Sequence, residues 1–196
     1  MPSYRDDTNE LIFDGDIERF AFHFWEENGL WHYGESGSNN KRSTELSTPD
    51  FDIALRWLIY NVAGSARHRL RFHPLRIPID GALDHENIAT GWSIQLDDDL
   101  IGQLITPDGK VLDMQMQVST RRAAQLVILS HLMAYTPEQL LTSYMDPYGR
   151  PHLTQYLHED PALTRIGKPS HPIPPLETAN WGKSPGHVSR ARSATS

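Results

Sequence analysis

"RFAFHFWEENGLWHYGES", residues 19–36, is the stretch on which the reading of the fold turns. Phe20, Phe22 and Phe24 alternate with Ala21, His23 and Trp25, the two-residue period of a strand. Asn28-Gly29 then supplies the positive backbone angles of a tight hairpin turn. With those two at the turn, Trp25 stands opposite His32 and Phe24 opposite Tyr33. One face is then phenylalanine with Trp31 and Tyr33, suited to a core. The other carries His23, His32 and Trp25.

Downstream, "STPDFDIALRWLIYNVAG" has the period of a helix. Thr48 is placed to cap it, Pro49 suits the first helical position, and Asp50 favours the positive helix end. Phe51, Leu55, Leu58, Ile59 and Val62 form its apolar stripe, and Gly64 is placed to stop it. An irregular segment broken by Pro74 and Pro78 leads to a β-meander. In it Trp92, Ile94 and Leu96 share a face, two strands flank Pro107-Asp108-Gly109, and Leu112, Met114, Met116 and Val118 alternate with polar residues. Two helices follow. "STRRAAQLVILSHLMAY" is apolar nearly all round and should be buried against the sheet, although the same face would serve a second subunit. "TPEQLLTSYM" carries a capping box, Thr136 with Gln139, and Pro137 at its start. Asp146-Pro147-Tyr148-Gly149 then reads as the turn that ends it. Hairpin, helix, meander and two helices predict an α+β domain: a mostly antiparallel sheet packed against about three helices.

The 196 residues hold one domain, expected over 1–159. Residues 160–196 are rich in proline, poor in aliphatic residues and without period, and predict an extended or disordered tail. The whole chain is −7; the tail holds five Lys/Arg and two Asp/Glu, which leaves 13 and 23 in the body, a net −10. An acidic body repels nucleic-acid phosphates and suits either solubility or a partner with a basic face. The absence of cysteine removes disulfides, thiolate metal sites and thiol nucleophiles together. The first residues lack a basic start followed by an apolar core, so no signal peptide is expected and the predicted location is cytoplasmic.

The ten histidines form no H-E-x-x-H or H-x-H pattern, and no metal or cofactor is expected. His23 and His32 share a hairpin face, as ligands or as ordinary sheet residues. His68 and His73 flank an arginine-rich stretch that would discourage a cation, and His131 reads as a hydrogen-bonded core residue. Ser130 and His131 are adjacent on a helix and cannot point at each other. Asp97, Asp98 and Asp99 form a turn without the spacing of a calcium loop, and no glycine-rich phosphate loop occurs. No catalytic residues are assigned. Arg67, Arg69, Arg71 and Arg76 form the one local charge feature; with 67–71 extended, three of them share a face. That face is either a recognition patch for an anionic group or compensation of acidic surroundings.

Three stretches in order, "FWEENGLWHYGES", "STPDFDIALRWLIYNVAGSARHRLRFHPLR" and "RRAAQLVILSHLMAYTPEQLLTSYMDPYGRPHL", resemble immunity protein family 61 of bacterial polymorphic-toxin systems, a group that includes the immunity factor for the tuberculosis necrotizing toxin. The resemblance spans roughly residues 20–153. It implies a non-enzymatic antitoxin that binds a cognate toxin protein and occludes its active site. The best-known toxin of the group hydrolyses NAD, which would be the toxin's substrate and not this chain's cofactor. Tyr148 and Arg150 are the expected partner contacts, because tyrosine and arginine are favoured interface anchors, with Arg67 and Arg69 as second choice. Two other readings stay open: an adaptor or secretion chaperone, and a small hydrolase built on His23 and His32.

Overall fold

A computed structural model describes residues 2–14, 20–37, 41–77, 85–119 and 123–158. The expected tail, 160–196, lies outside them. Among the described residues, eight strands form one antiparallel sheet: β1 (Ser3–Arg5), β2 (Glu10–Asp14), β3 (Ala21–Glu27), β4 (Leu30–Ser36), β5 (Arg42–Thr48), β6 (Ser93–Leu96), β7 (Ile101–Ile105) and β8 (Gln115–Gln117). Their spatial order is β1-β2-β3-β4-β5-β8-β7-β6. The N-terminal hairpin and the meander therefore join edge to edge through β5 and β8. Three helices complete an α+β domain: α1 (Phe51–Arg69), α2 (Ala124–Leu132) and α3 (Pro137–Met145). The first packs over β3, β4 and β5, the second over β7, and the third against α1.

The hairpin has the expected register, with Phe24 opposite Tyr33 and Trp25 opposite His32. Asn28 and Gly29 take φ of 55° and 77°, as the turn requires. Phe22, Phe24 and Tyr33 enter the core beside Leu46, Trp57 and Met116. Each such burial contributes roughly 1.5–3 kcal/mol of transfer free energy. The opposite face is also closed: Trp25 is buried beneath the Arg42 guanidinium, 3.8 Å from the ring centre, and stacks on His32 at 5.0 Å.

Helix α1 departs from expectation at both ends. Its cap is Asp50, whose carboxylate accepts from the N–H groups of Asp52 and Ile53 at 2.9 and 3.2 Å. Thr48 is instead buried, and its hydroxyl donates to Asp113 O at 2.7 Å, tying β5 to the segment before β8. The helix also runs through Gly64 to Arg69. Glycine there weakens a helix without forbidding one, and the contacts of Arg67 outweigh that preference. Arg67 to Arg69 is thus helical, Arg71 has a left-handed φ of 56°, and the expected extended arginine face does not form. The buried stripe is Ile53, Ala54, Trp57, Leu58, Ile59 and Ala63, with Phe51 at its exposed rim.

Helix α2 is buried along Leu126 to Leu129, as its sequence predicts. Helix α3 carries the complete capping box, with Gln139 N–H donating to the Thr136 hydroxyl and Thr136 N–H to the Gln139 side chain. Asp146 to Gly149 forms the expected turn, closed by Gly149 N–H to Asp146 O at 3.0 Å.

Candidate functional site

The turn after α3 is held from both sides. From beneath, Arg67 of α1 is 1% exposed and spends its whole guanidinium on main-chain carbonyls. Its Nε and Nη2 donate to His73 O at 3.1 and 2.7 Å, Nη1 to Tyr144 O and Asp146 O at 2.8 and 2.6 Å, and Nη2 also to Pro147 O at 3.0 Å. These include the carbonyls that a helix leaves unpaired at its C-terminus, where a cation is favoured by the helix dipole. Burial brings the Arg67 pKa down to about 10, so it stays charged at neutral pH.

From within the turn, the Asp146 carboxylate accepts from the Tyr148 N–H at 2.8 Å and from Arg150 Nε and Nη2 at 3.0 and 2.9 Å. Burial would raise the Asp146 carboxyl, but these hydrogen bonds prevail and hold it below its ordinary value. Arg150 lies 4.7 Å over the Tyr148 ring. The two side chains form a half-exposed aromatic–cation pair with restricted freedom. Leu141 and Met145, one helical turn apart on α3, which ends at this turn, are each about half exposed. Gly149, at φ 73°, has no room for a side chain, because a Cβ would press on Leu75 and the Leu153 main chain.

The face carrying His23 and His32 holds a second polar cluster. His23 Nδ1 donates to Glu10 Oε1 at 2.8 Å, its Nε2 meets Ser36 Oγ at 2.7 Å, and Arg42 Nη1 donates to Glu10 Oε1 at 2.9 Å. Glu10, His23 and Ser36 thus stand in the order of an acid–imidazole–hydroxyl relay. A nucleophile must be presented to its substrate, however, and Ser36 is only 6% exposed. His32 is engaged separately with Ser47 Oγ at 2.8 Å. The structure therefore places the two histidines on one face without making them a joint site. Among the described residues, no three of His, Asp, Glu or Cys are grouped to hold a metal ion. His131 Nε2 donates to Asn87 O at 2.8 Å, and Ser130 is bonded to Val127 O at 2.6 Å.

The family model of immunity protein 61 matches residues 2–152, which include the whole sheet, all three helices and the closing turn. The chain belongs to this family. Among solved structures, this immunity protein shares its fold with Rv3902c from M. tuberculosis, at a TM-score of 0.60 and 19% identity over 81% of this chain and 87% of that one. No curated protein matches.

In this Imm61 protein the closing turn brings together three of the four arginine and tyrosine candidates. Tyr148 and Arg150 are at its surface and Arg67 is beneath it. Arg69 instead sits exposed at the end of α1, where its Nη2 donates to Asp14 O at 2.8 Å. A further acidic cleft of about 290 Å³, lined by Glu35, Glu45, Thr44 and Gln125 among others, has no signal in the sequence. It owes its form to a β-bulge: Tyr33 pairs with Leu46 and Gly34 with Thr44, leaving Glu45 unpaired between them. Only glycine fits at position 34, because a Cβ there would strike the Ser43 carbonyl. Burial, then the charge of Glu35, pushes the Glu45 carboxyl up to about 7, with partial relief from the side chains of Trp57 and Gln125. Among the described residues no helix is long and apolar enough to cross a membrane.

Proposed function

We propose that this immunity protein binds a cognate toxin protein and covers its active site, without making or breaking a covalent bond itself. The observation that carries this reading is the family match over residues 2–152. The contact surface centres on Tyr148 and Arg150, continued by Leu141 and Met145. Aromatic, arginine and methionine side chains of this kind are enriched at the centres of interfaces. Arg67 acts as the positioning residue that fixes the turn, and Arg69 is a peripheral contact. The turn is anchored before any partner arrives, so little freedom is lost on docking.

The toxin hydrolyses NAD in this reading. A pocket for an anionic dinucleotide is commonly basic, and a body carrying −10 is complementary to it. The interaction takes place in the cytoplasm. The test is co-expression with the C-terminal domain of the toxin encoded beside this chain's gene. Growth should be rescued, the two proteins should co-purify, and NAD consumption by that domain should cease. Co-purification without inhibition would favour an adaptor or secretion chaperone.

A further inference from the structure

The row of side chains that crosses the core runs on past the helix that covers it. Tyr4, Leu11, Phe24, Tyr33, Leu46 and Met116 stand opposite one another across β1, β2, β3, β4, β5 and β8, and so share one face of the sheet. Helix α1 packs over β3, β4 and β5, whereas Leu11 and Tyr4 at the outer end of the row are 38% and 54% exposed. Phe51, the first residue of α1, is 43% exposed on the same side. It is held in place: its ring lies edge-on to half-buried Trp31 at 4.7 Å and to buried Phe24 at 6.1 Å, and those two stack at 5.5 Å. An aromatic array anchored in the core thus reaches the surface here, and rings fixed in this way lose little freedom when covered.

Three acidic segments frame this end of the sheet. The strand register sets the turn between β1 and β2, with Asp6 and Asp7, beside the turn between β3 and β4, with Glu26 and Glu27. Thr48, opposite Trp31, leads the chain to Asp50 and Asp52, which also offset the positive end of α1. All but Glu26 are exposed. Arg56 is turned to Asp52 at 3.9 Å and to Tyr135 O at 2.8 Å, and Arg5, opposite Glu10, lies on the other face of the sheet. An apolar centre with such a frame repels phosphate groups, and it repels a second copy of itself. It suits a side chain that is apolar along its stem and positive at its head, which an aromatic ring also attracts.

We propose that this end of the sheet is a second contact surface for the toxin and receives a basic segment of it, a Lys or Arg side chain lying over Phe51 and Trp31 with its charge among the carboxylates. The proposal rests on the immunity reading above. Phe51 and Arg67 are about 24 Å apart along α1, less than the diameter of a small domain, so one partner is large enough to reach from this surface to the closing turn. It also locates the acidic complementarity that the net charge of the body only implies.

The test titrates the C-terminal toxin domain of the co-expression experiment against the wild-type protein, Phe51→Ala, and the double variant Asp6→Lys with Asp7→Lys. The first removes the exposed ring; the second reverses charge in an exposed turn and leaves the core untouched. Phe51→Ala should weaken binding at least about tenfold with the circular dichroism spectrum retained. Wild-type affinity should fall as salt is raised, and the charge-reversed protein should bind more weakly with a flatter salt dependence. On the toxin side, each surface Lys or Arg is replaced by Gln. One such change should weaken binding to the wild type by a similar factor and have no further effect on Phe51→Ala. If the wild type binds but both variants bind equally well, or no basic toxin residue couples to Phe51, this surface is overturned and the immunity reading stands. A dimer of the free protein that Phe51→Ala dissociates would assign the face to a second copy and overturn the proposal as well. If the wild type does not bind the toxin domain, both readings fall.

Discussion

Arg67 Nη1 donates to the main-chain oxygen of Asp146 at 2.6 Å, joining residues 79 positions apart. The carboxylate of that same Asp146 holds Arg150. A buried cation and an exposed one are thus linked through one acid, and the shape of the proposed contact surface depends on the interior of α1.

Arg67→Ala should therefore destabilise the domain by about 3 kcal/mol or more, because it leaves several carbonyls buried without donors. Arg67→Lys should recover only part of that, since an ammonium lacks the planar fork that reaches four carbonyls. Urea denaturation measures both. A midpoint unchanged in Arg67→Ala would show that the turn does not need its anchor.

Replacing Tyr148 and Arg150 together by alanine should weaken toxin binding by a factor of ten or more and lower stability by less than about 1 kcal/mol. Titration calorimetry beside a thermal melt separates the two effects. Unaltered affinity in the folded double variant would remove this turn from the interface.

Glu45 sets an opposite pH dependence to the usual carboxylate. Its folded pKa, raised to about 7, lies above its ordinary 4.5. The folded protein thus binds the extra proton, and this stabilising contribution is complete below about pH 4.5 and lost as pH rises through 7. Glu45→Gln should remove that slope. Above pH 7 it should be more stable than the wild type by on the order of 1–3 kcal/mol, and near pH 4 about equal to it. Equal stabilities at pH 8 would contradict the burial of this carboxyl.

Glu10 works in the other sense. Burial would raise its carboxyl, but hydrogen bonds from Arg42 and His23 outweigh that and hold it below 4.5. Its contribution is present above pH 4.5 and is lost as pH falls through the lowered value. Glu10→Gln should be destabilising at pH 7 and flatten the acid limb of the stability curve. An acid limb identical to the wild type would place the lost protons elsewhere.

Much of this fold is legible in the sequence because local signals agree with tertiary demands. Asn28-Gly29 fixes the hairpin and hence which side of β3 and β4 meets the helices. Thr136 and Gln139 fix the start of α3. Strands β1 and β2 are not legible: "SYR" and "ELIFD" are too short to show a period, and β2 is a strand because β3 offers its open edge, as β1 is because β2 then offers its own. "RSTELST" of β5 reads as polar loop, yet it bridges the hairpin to the meander and its bulge turns Glu45 inward. Gly64 misleads for a related reason, since the bonds of Arg67 draw the helix past it. At the candidate site, Tyr148 and Arg150 are visible as residue types, whereas the buried role of Arg67 depends on carbonyls far along the chain.

The most direct measurement of the central claim is the inhibition pattern of the proposed NAD-hydrolysing toxin at several NAD concentrations. Occlusion predicts a 1:1 complex whose apparent inhibition constant rises linearly with NAD, because substrate and immunity protein compete for one surface. An inhibition constant independent of NAD, or substrate turnover by this protein alone, would contradict it.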